Sequence, residues 1–445
     1  MSSDEFPSSR FQRGRIFAKT GLDVGSGYVK HMLRKSVDSQ ADTSEIRRET
    51  AQKVFQEFTK LRGTALKLAQ ALSLDQSFLP EEFTEVMTQA QYAVPPINKA
   101  LVRSILRREL GDAPENLFAE FGEEAIAAAS IGQVHRATLH DGTRVAVKIQ
   151  YPGVRDSIDS DLAIAKGLFK RLVKRGSDIE PYFAEVRQTL LEETDYLHEG
   201  EEMERFHGRF HSDKVVTPRW IRELSTGRVL TMTFIDGEHL GPFMERGPSQ
   251  EERDRYGQLL WDFFHEQIQG SREIHADTHP GNFLYTRDGR LGVIDFGCVK
   301  QFPDGFFRDY LALLPSHLQR DEARILELYQ RLGVVGANPE QDAFEARYLE
   351  FAKNYGYVFV EPYRTDVFDF GDPAYLAKIR TYTRDAPFSN EPRGNENFLY
   401  STRVHLGLYH FLMKLGARVN TVHSRGIVMG TLENVTGREE PVPAT

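Results

Sequence analysis

With 445 residues, 40% hydrophobic and 27% charged, the chain is long enough for two lobes. Its make-up is that of a soluble globular protein rather than a collagen or a disordered tail. The net charge of −9 argues against wholesale nucleic-acid binding, and the single cysteine, Cys298, excludes an intramolecular disulfide and suits a reducing compartment.

No window reaches the roughly 18 continuous apolar residues of a membrane span, and no apolar run of a signal peptide opens the chain. A cytoplasmic protein is therefore expected, with peripheral membrane contact as a further expectation. Residues 1–42 form a basic segment, with Arg10, Arg13, Arg15, Lys19, Lys30, Arg34 and Lys35 among Phe11, Ile16, Phe17 and Leu22. Such a segment suits a foot on anionic lipid, and equally a frayed tail or a docked helix. Residues 43–112 read as a helical extension. From Thr43 to Leu74, apolar residues such as Val54, Phe55, Phe58, Leu61 and Leu68 recur at helical steps. Lys67 and Gln70, three apart, share a face of that helix. Pro80 and Pro95-Pro96 punctuate two further helices, at about 81–92 and 97–110.

Residues 113–235 read as a further domain, which switches to strand character over 117–150. The run from Ile126 to Ala137 includes Ala127, Ala128, Ala129 and Ser130, and leads to a hairpin tip at Asp141-Gly142. The returning strand carries Val145-Ala146-Val147-Lys148, in the place of the kinase lysine that holds nucleotide phosphates. One long acidic helix is expected over 181–206, and a phosphate-binding lysine needs one buried carboxylate from it. Residues 213–234 alternate as two strands around Gly227. The second ends near Met232, whose backbone N–H and C=O are expected to meet an adenine.

Residues 236–435 read as mainly helical, before a tail at 436–445. An aromatic-rich helix spans 250–271. It leads into His275-Ala276-Asp277-Thr278-His279-Pro280-Gly281-Asn282, a turn at Asp288-Gly289, and Asp295-Phe296-Gly297 after an apolar strand. Asp277, Asn282 and Asp295 are three oxygen donors in a fixed order. Phosphoryl transfer from ATP asks little covalent chemistry of the protein; it needs Mg²⁺ against the phosphates and a carboxylate near the attacking oxygen. An Asp, an Asn five positions on, and then Asp-Phe-Gly is the spacing of a kinase catalytic loop and its metal-binding turn. An irregular acidic–aromatic stretch is expected at 355–396.

Four motifs in order give the chain a resemblance to the atypical kinase-like AarF/UbiB family, over roughly 45–430. They are Lys67-Leu-Ala-Gln70; Ala127–Ser130 with Gly132-Gln133-Val134-His135; Glu193-Thr-Asp195 with Glu199; and His275–Asn282 with Asp295–Gly297. Two departures are Ala69, where the family has Gly, and Thr278, where it usually has Pro. The resemblance implies a bilobal α+β kinase-like fold. Its parts are a small β-sheet N-lobe, a mainly helical C-lobe and an N-terminal helical extension over the cleft. It implies that Ala127–Ser130 replaces the Gly-rich loop and that Lys148 contacts phosphate and pairs with Glu199. Asn282 and Asp295 would hold Mg²⁺, with Asp277 in the base position. Lys67 and Gln70 would lie over the site, Lys67 tied to Glu193 or Asp195. The implied activity is that of an ATP-dependent ATPase or small-molecule kinase in isoprenoid-lipid or ubiquinone metabolism. The implied partner is a lipid or quinone-precursor ligand, and a homodimer is a further expectation. A true protein kinase and a nucleotide-binding scaffold without turnover are the alternatives. The complete residue set argues against the scaffold. The missing Ala-Pro-Glu segment after Asp295 argues against the protein kinase.

Overall fold

The computed structural model describes residues 96–129, 131–172, 180–270, 273–297, 299–384 and 393–436. The basic segment, the 43–74 helix with Lys67 and Gln70, the 81–92 helix, Ser130 and Cys298 lie outside the described residues. Asn98 opens helix α1 (Lys99–Leu110): its side chain accepts the Leu101 N–H, and Gly111 closes the helix. Val102, Ile105 and Leu106 recur at helical spacing and are buried. A short helix, α2 (Pro114–Leu117), follows.

Strands β1 (Glu120–Ala128), β2 (Gly132–Thr138) and β3 (Arg144–Gln150) come next. The β2–β3 hairpin keeps one register from Gly132↔Gln150 to Thr138↔Arg144. Its tip places Gly142 at φ +86°, which side-chain-bearing residues resist. The run from Ile126 to Ala137 is thus not one strand. It reverses tightly, with the Ala129 N–H bonded to the Gly132 carbonyl at 2.9 Å, a turn that small residues permit.

Helices α3 (Val154–Leu172), α4 (Glu180–Glu193) and α5 (Tyr196–Phe210) follow. The expected single helix over 181–206 is therefore two. The Thr194 hydroxyl turns back to the Leu191 carbonyl, and Asp195 accepts the His198 N–H at 3.2 Å, starting a new helix. The two strands expected over 213–234 also part company. β4 (Val215–Val216) pairs in parallel with a strand near Asp295, whereas β5 (Val229–Thr233) joins β3. The first sheet has the order β1-β2-β3-β5. Val145, Val147, Ile149, Val229 and Leu230 are sealed in its core.

The chain divides into two units. One holds residues up to Glu204 with Arg219–Phe234; the other holds Arg205–Pro218 and everything from Ile235. The second unit begins with β6 (Gly237–Glu238), α6 (Leu240–Glu245) and α7 (Gln250–Gly270). The small strands β7 (Glu273–His275), β8 (Phe283–Thr286), β9 (Leu291–Val293) and β10 (Val299–Gln301) carry the catalytic-loop region. Next come α8 (Asp304–Gln319), α9 (Glu322–Arg331), α10 (Ala343–Phe359), β11 (Val367–Asp369) and α11 (Pro373–Arg384). The chain closes on α12 (Glu396–Leu415), β12 (Arg418–Asn420) and α13 (Val422–Thr436). The stretch 355–396 is less irregular than expected, since α10 runs on to Phe359 and α11 forms within it. Trp261 of α7 is fully buried at the centre and bonds Ser424 of α13 at 2.8 Å. Among the described residues, no helix is long and apolar enough to cross a membrane.

Candidate active site

Strand alternation sends Val147 and Ile149 to one face of the first sheet and Lys148 to the other. Lys148 is buried, and so is Glu199 in the first turn of α5. The ammonium lies 2.7 Å from Glu199 Oε1 and 2.9 Å from Oε2, and 5.1 Å from the centre of the Tyr196 ring. The helix N-terminus favours a carboxylate at Glu199. Removing one partner of a buried pair leaves the other charge stranded, at a cost of about 3–5 kcal/mol.

Glu193 ends α4, and Asp195 caps α5 through His198. Their expected tie to Lys67 involves a residue outside the described ones. Ala127 and Ala128 end β1, Ala129 begins the reversal, and Ser130 lies outside the described residues. Met232 sits inside the sheet, opposite Ala146 on one side and Trp220 on the other. The Phe234 N–H bonds the Arg144 carbonyl, so by antiparallel alternation Met232 and Ala146 exchange their backbone bonds. The adenine contact expected of the Met232 backbone is thus already spent on the ladder, which leaves the side chain.

In the second unit, β7 pairs with β10, with Val299 opposite His275. His275 is almost fully buried and donates from Nε2 to the Asp295 carbonyl at 2.6 Å, joining the start of the loop to Asp-Phe-Gly. Its own N–H bonds Gln267 of α7 at 2.6 Å. Asp277 Oδ1 accepts the His279 N–H at 3.1 Å, and the Asn282 amide nitrogen donates to the Asp277 carbonyl at 3.2 Å. The Asn282 carbonyl accepts the Ile294 N–H at 3.1 Å, and Asp295 Oδ1 accepts the Gly297 N–H at 3.0 Å. These bonds gather Asp277, Asn282 and Asp295 into one loop cluster. Phe296 is fully buried, its ring 5.4 Å from Phe206 of α5.

The donor set fits Mg²⁺. With its nitrogen spent on Asp277, Asn282 has its oxygen left to face a cation, and Asp295 supplies carboxylate. Among the described residues, no group of three or more His, Cys, Asp or Glu could hold a metal. Mg²⁺ commonly takes one or two carboxylates and draws its remaining ligands from phosphate and water.

Three contributors escaped sequence reasoning. Phe206 acts on Phe296 across a long separation that no local pattern reveals. Gln267, eight residues before His275, reads as an ordinary helix residue until its bond to the His275 N–H is seen. Gly407 of α12 left a faint signal, a glycine inside a helix. A Cβ there would run into the Thr278 hydroxyl, so this glycine makes room for the Thr that departs from the family pattern.

Residues 89–329, more than half the chain, match the family described as the ABC1 atypical kinase-like domain. A Dictyostelium discoideum protein named a probable serine/threonine-protein kinase, abkA, is 31% identical over 77% of this chain and 65% of its own length. The Saccharomyces cerevisiae mitochondrial atypical kinase COQ8 is 29% identical over 85% of this chain and 77% of its own. A solved structure of Rv3197 from Mycobacterium tuberculosis, in complex with erythromycin, superposes with a TM-score of 0.61. It is 27% identical and covers 86% of this chain and 96% of that one. The fold is kinase-like and α+β, and the chain belongs to the ABC1 atypical kinase-like, or UbiB, family.

Proposed function

We propose that this family member binds Mg-ATP and either hydrolyses it or passes its terminal phosphoryl group to a small molecule of isoprenoid-lipid or ubiquinone metabolism. The observation that carries the reading is the buried Lys148–Glu199 pair, held at 2.7 and 2.9 Å. Burying two charges seldom adds stability over well-packed apolar residues, so the pair calls for another use. Holding an ammonium ready for phosphate is such a use. Lys148 would bind phosphate, and the run Ala127–Ser130 would cradle it. Asn282 and Asp295 would hold the cation, which when bound neutralises phosphate charge. Asp277 would orient the acceptor oxygen and take its proton. Lys67 and Gln70 would restrict access to the site.

The decisive experiment is ATP turnover by the purified protein, with and without lipid vesicles and a quinone-precursor phenol. Mg-ATP should raise the melting temperature of the parent and leave Asp295→Asn nearly unmoved. Equal stabilisation of the variant would sink the assignment. The name of the Dictyostelium relative favours a second reading, a protein kinase. Generic peptide substrates form a further arm of the assay, and ready peptide phosphorylation would put that reading first.

A further inference from the structure

The run Gly132-Gln133-Val134-His135 has no part in the chemistry above, yet it carries two of the most buried polar side chains in the protein. Gln133 is 1% exposed and His135 is fully buried. Buried polar groups need partners, and here the partners form a series. The Ile97 N–H donates to Gln133 Oε1 at 2.7 Å. A backbone N–H can only donate, so this bond fixes which end of the amide is oxygen. Gln133 Nε2 must then donate to His135 Nε2, 2.7 Å away. His135 in turn carries its proton on Nδ1 and donates it to the Gly122 carbonyl at 2.8 Å. One amide at the start of the series thus sets a side-chain orientation and a tautomer. The Phe121 ring, 5.2 Å from the imidazole, covers it.

The series ends where the sheet needs it. β1 breaks register with β2 twice, between Phe121 and Ala125 and again between Ala125 and Ala127. Gly122 lies in the first break, so the side chain of His135 bonds a carbonyl that the regular ladder does not fix. Ala128 lies opposite Gln133 itself. Lys148 lies opposite Val134, so the series runs on the face of the sheet away from Lys148.

We propose that Ile97, Gln133, His135 and Gly122 form a positioning relay, which ties β1, from Gly122 near its start to the Ala127–Ala129 turn at its end, to the backbone just before helix α1. The proposal rests on reading that turn as the phosphate cradle. The relay residues touch no nucleotide. They act through β1, by setting where its last residues stand.

The test uses the full-length chain. Gln133→Leu breaks the relay at its centre. Ile97→Pro removes the same hydrogen bond from the other end and leaves β2 untouched, which guards against a folding failure of the first variant. Val145→Ala, in the same sheet core but outside the relay, serves as a control for lost core packing. Hydrogen exchange over residues 121–129 should speed up roughly tenfold in both relay variants and stay at the parent rate in the control. The Kd for Mg-ATP, measured well below the melting temperature, should rise several-fold in the relay variants alone. Parent-like exchange and affinity in Gln133→Leu and Ile97→Pro would overturn the relay, as would equal changes in Val145→Ala. A parent that binds no nucleotide would overturn the reading of the cradle. The exchange measurement, which needs no nucleotide, would still decide whether the relay holds the turn.

Discussion

Two single residues make the site's demands measurable. Glu199→Gln and Lys148→Met should each destabilise the chain in urea by about 3–5 kcal/mol, since each strands a buried partner. The double variant removes both charges and should cost clearly less than the sum of the two. A double variant as costly as the sum would mean that the pair does not act as a unit. Gly407→Ala should push on Thr278 and slow ATP turnover about tenfold, and adding Thr278→Ala should recover most of the loss. No recovery would show that the glycine serves α12 rather than the loop. Lys148, Asp277, Asn282 and Asp295 were legible from sequence because their chemistry is written in short spacings. His275 was quoted in the motif, yet its bond to the Asp295 carbonyl crosses a strand pair that no spacing reveals. Gly407 was hidden for the same reason, its partner lying more than a hundred residues away.

Elements were legible where one periodicity ruled. The β2–β3 hairpin and α7 follow their patterns closely. The acidic run over 181–206 concealed a cap, because Asp195 reads as one more surface charge until its bond to the His198 N–H is seen. β4 was misplaced because its parallel pairing with β9 depends on partners some 75 residues on. Three helices of the second unit also share a property that pH exposes. Burial pushes His265 of α7 and His317 of α8 down to about 4, and His405 of α12 down to about 3. All three are neutral in the fold, whereas an unfolded histidine takes a proton near pH 6.5. The unfolded state therefore binds more protons below that pH. Stability present in full above pH 6.5 is lost as pH falls toward 4, at up to about 1.4 kcal/mol per pH unit for each histidine. Denaturation followed through Trp261, in a Trp220→Phe background, should show this slope between pH 6.5 and 5, above the main range of carboxylate titration. His317→Gln should make the slope shallower. A flat profile would mean that these histidines titrate alike in the folded and unfolded states.

At the scale of the whole molecule, the candidate residues divide by unit: Lys148 and Glu199 lie in the first, and Asp277, Asn282 and Asp295 lie in the second. Helix α5 begins in one unit and ends in the other, with Glu199 in its first turn and Phe206 near its end. Charge is shared out just as unevenly. Residues 1–40 hold seven Lys and Arg against four Asp and Glu, in a chain whose net charge is −9. The remainder is thus strongly acidic and would be repelled by an anionic membrane, so any electrostatic attachment must come from the basic segment. Each basic residue near such a surface contributes about 1 kcal/mol, and Phe11, Ile16, Phe17 and Leu22 add apolar contact. The acidic remainder competes for the same charges, which keeps the expected attachment weak and sensitive to salt. Full-length protein should therefore co-sediment with vesicles containing anionic lipid at low ionic strength and not with neutral vesicles. Binding should fade as salt approaches about 0.5 M, where screening reaches only a few ångströms. Deleting residues 1–42 should abolish it at every salt concentration. Binding that survives the deletion would move the membrane contact to the body of the protein. Failure of the full chain to sediment even at low salt would leave the basic segment to the protein's own acidic surface.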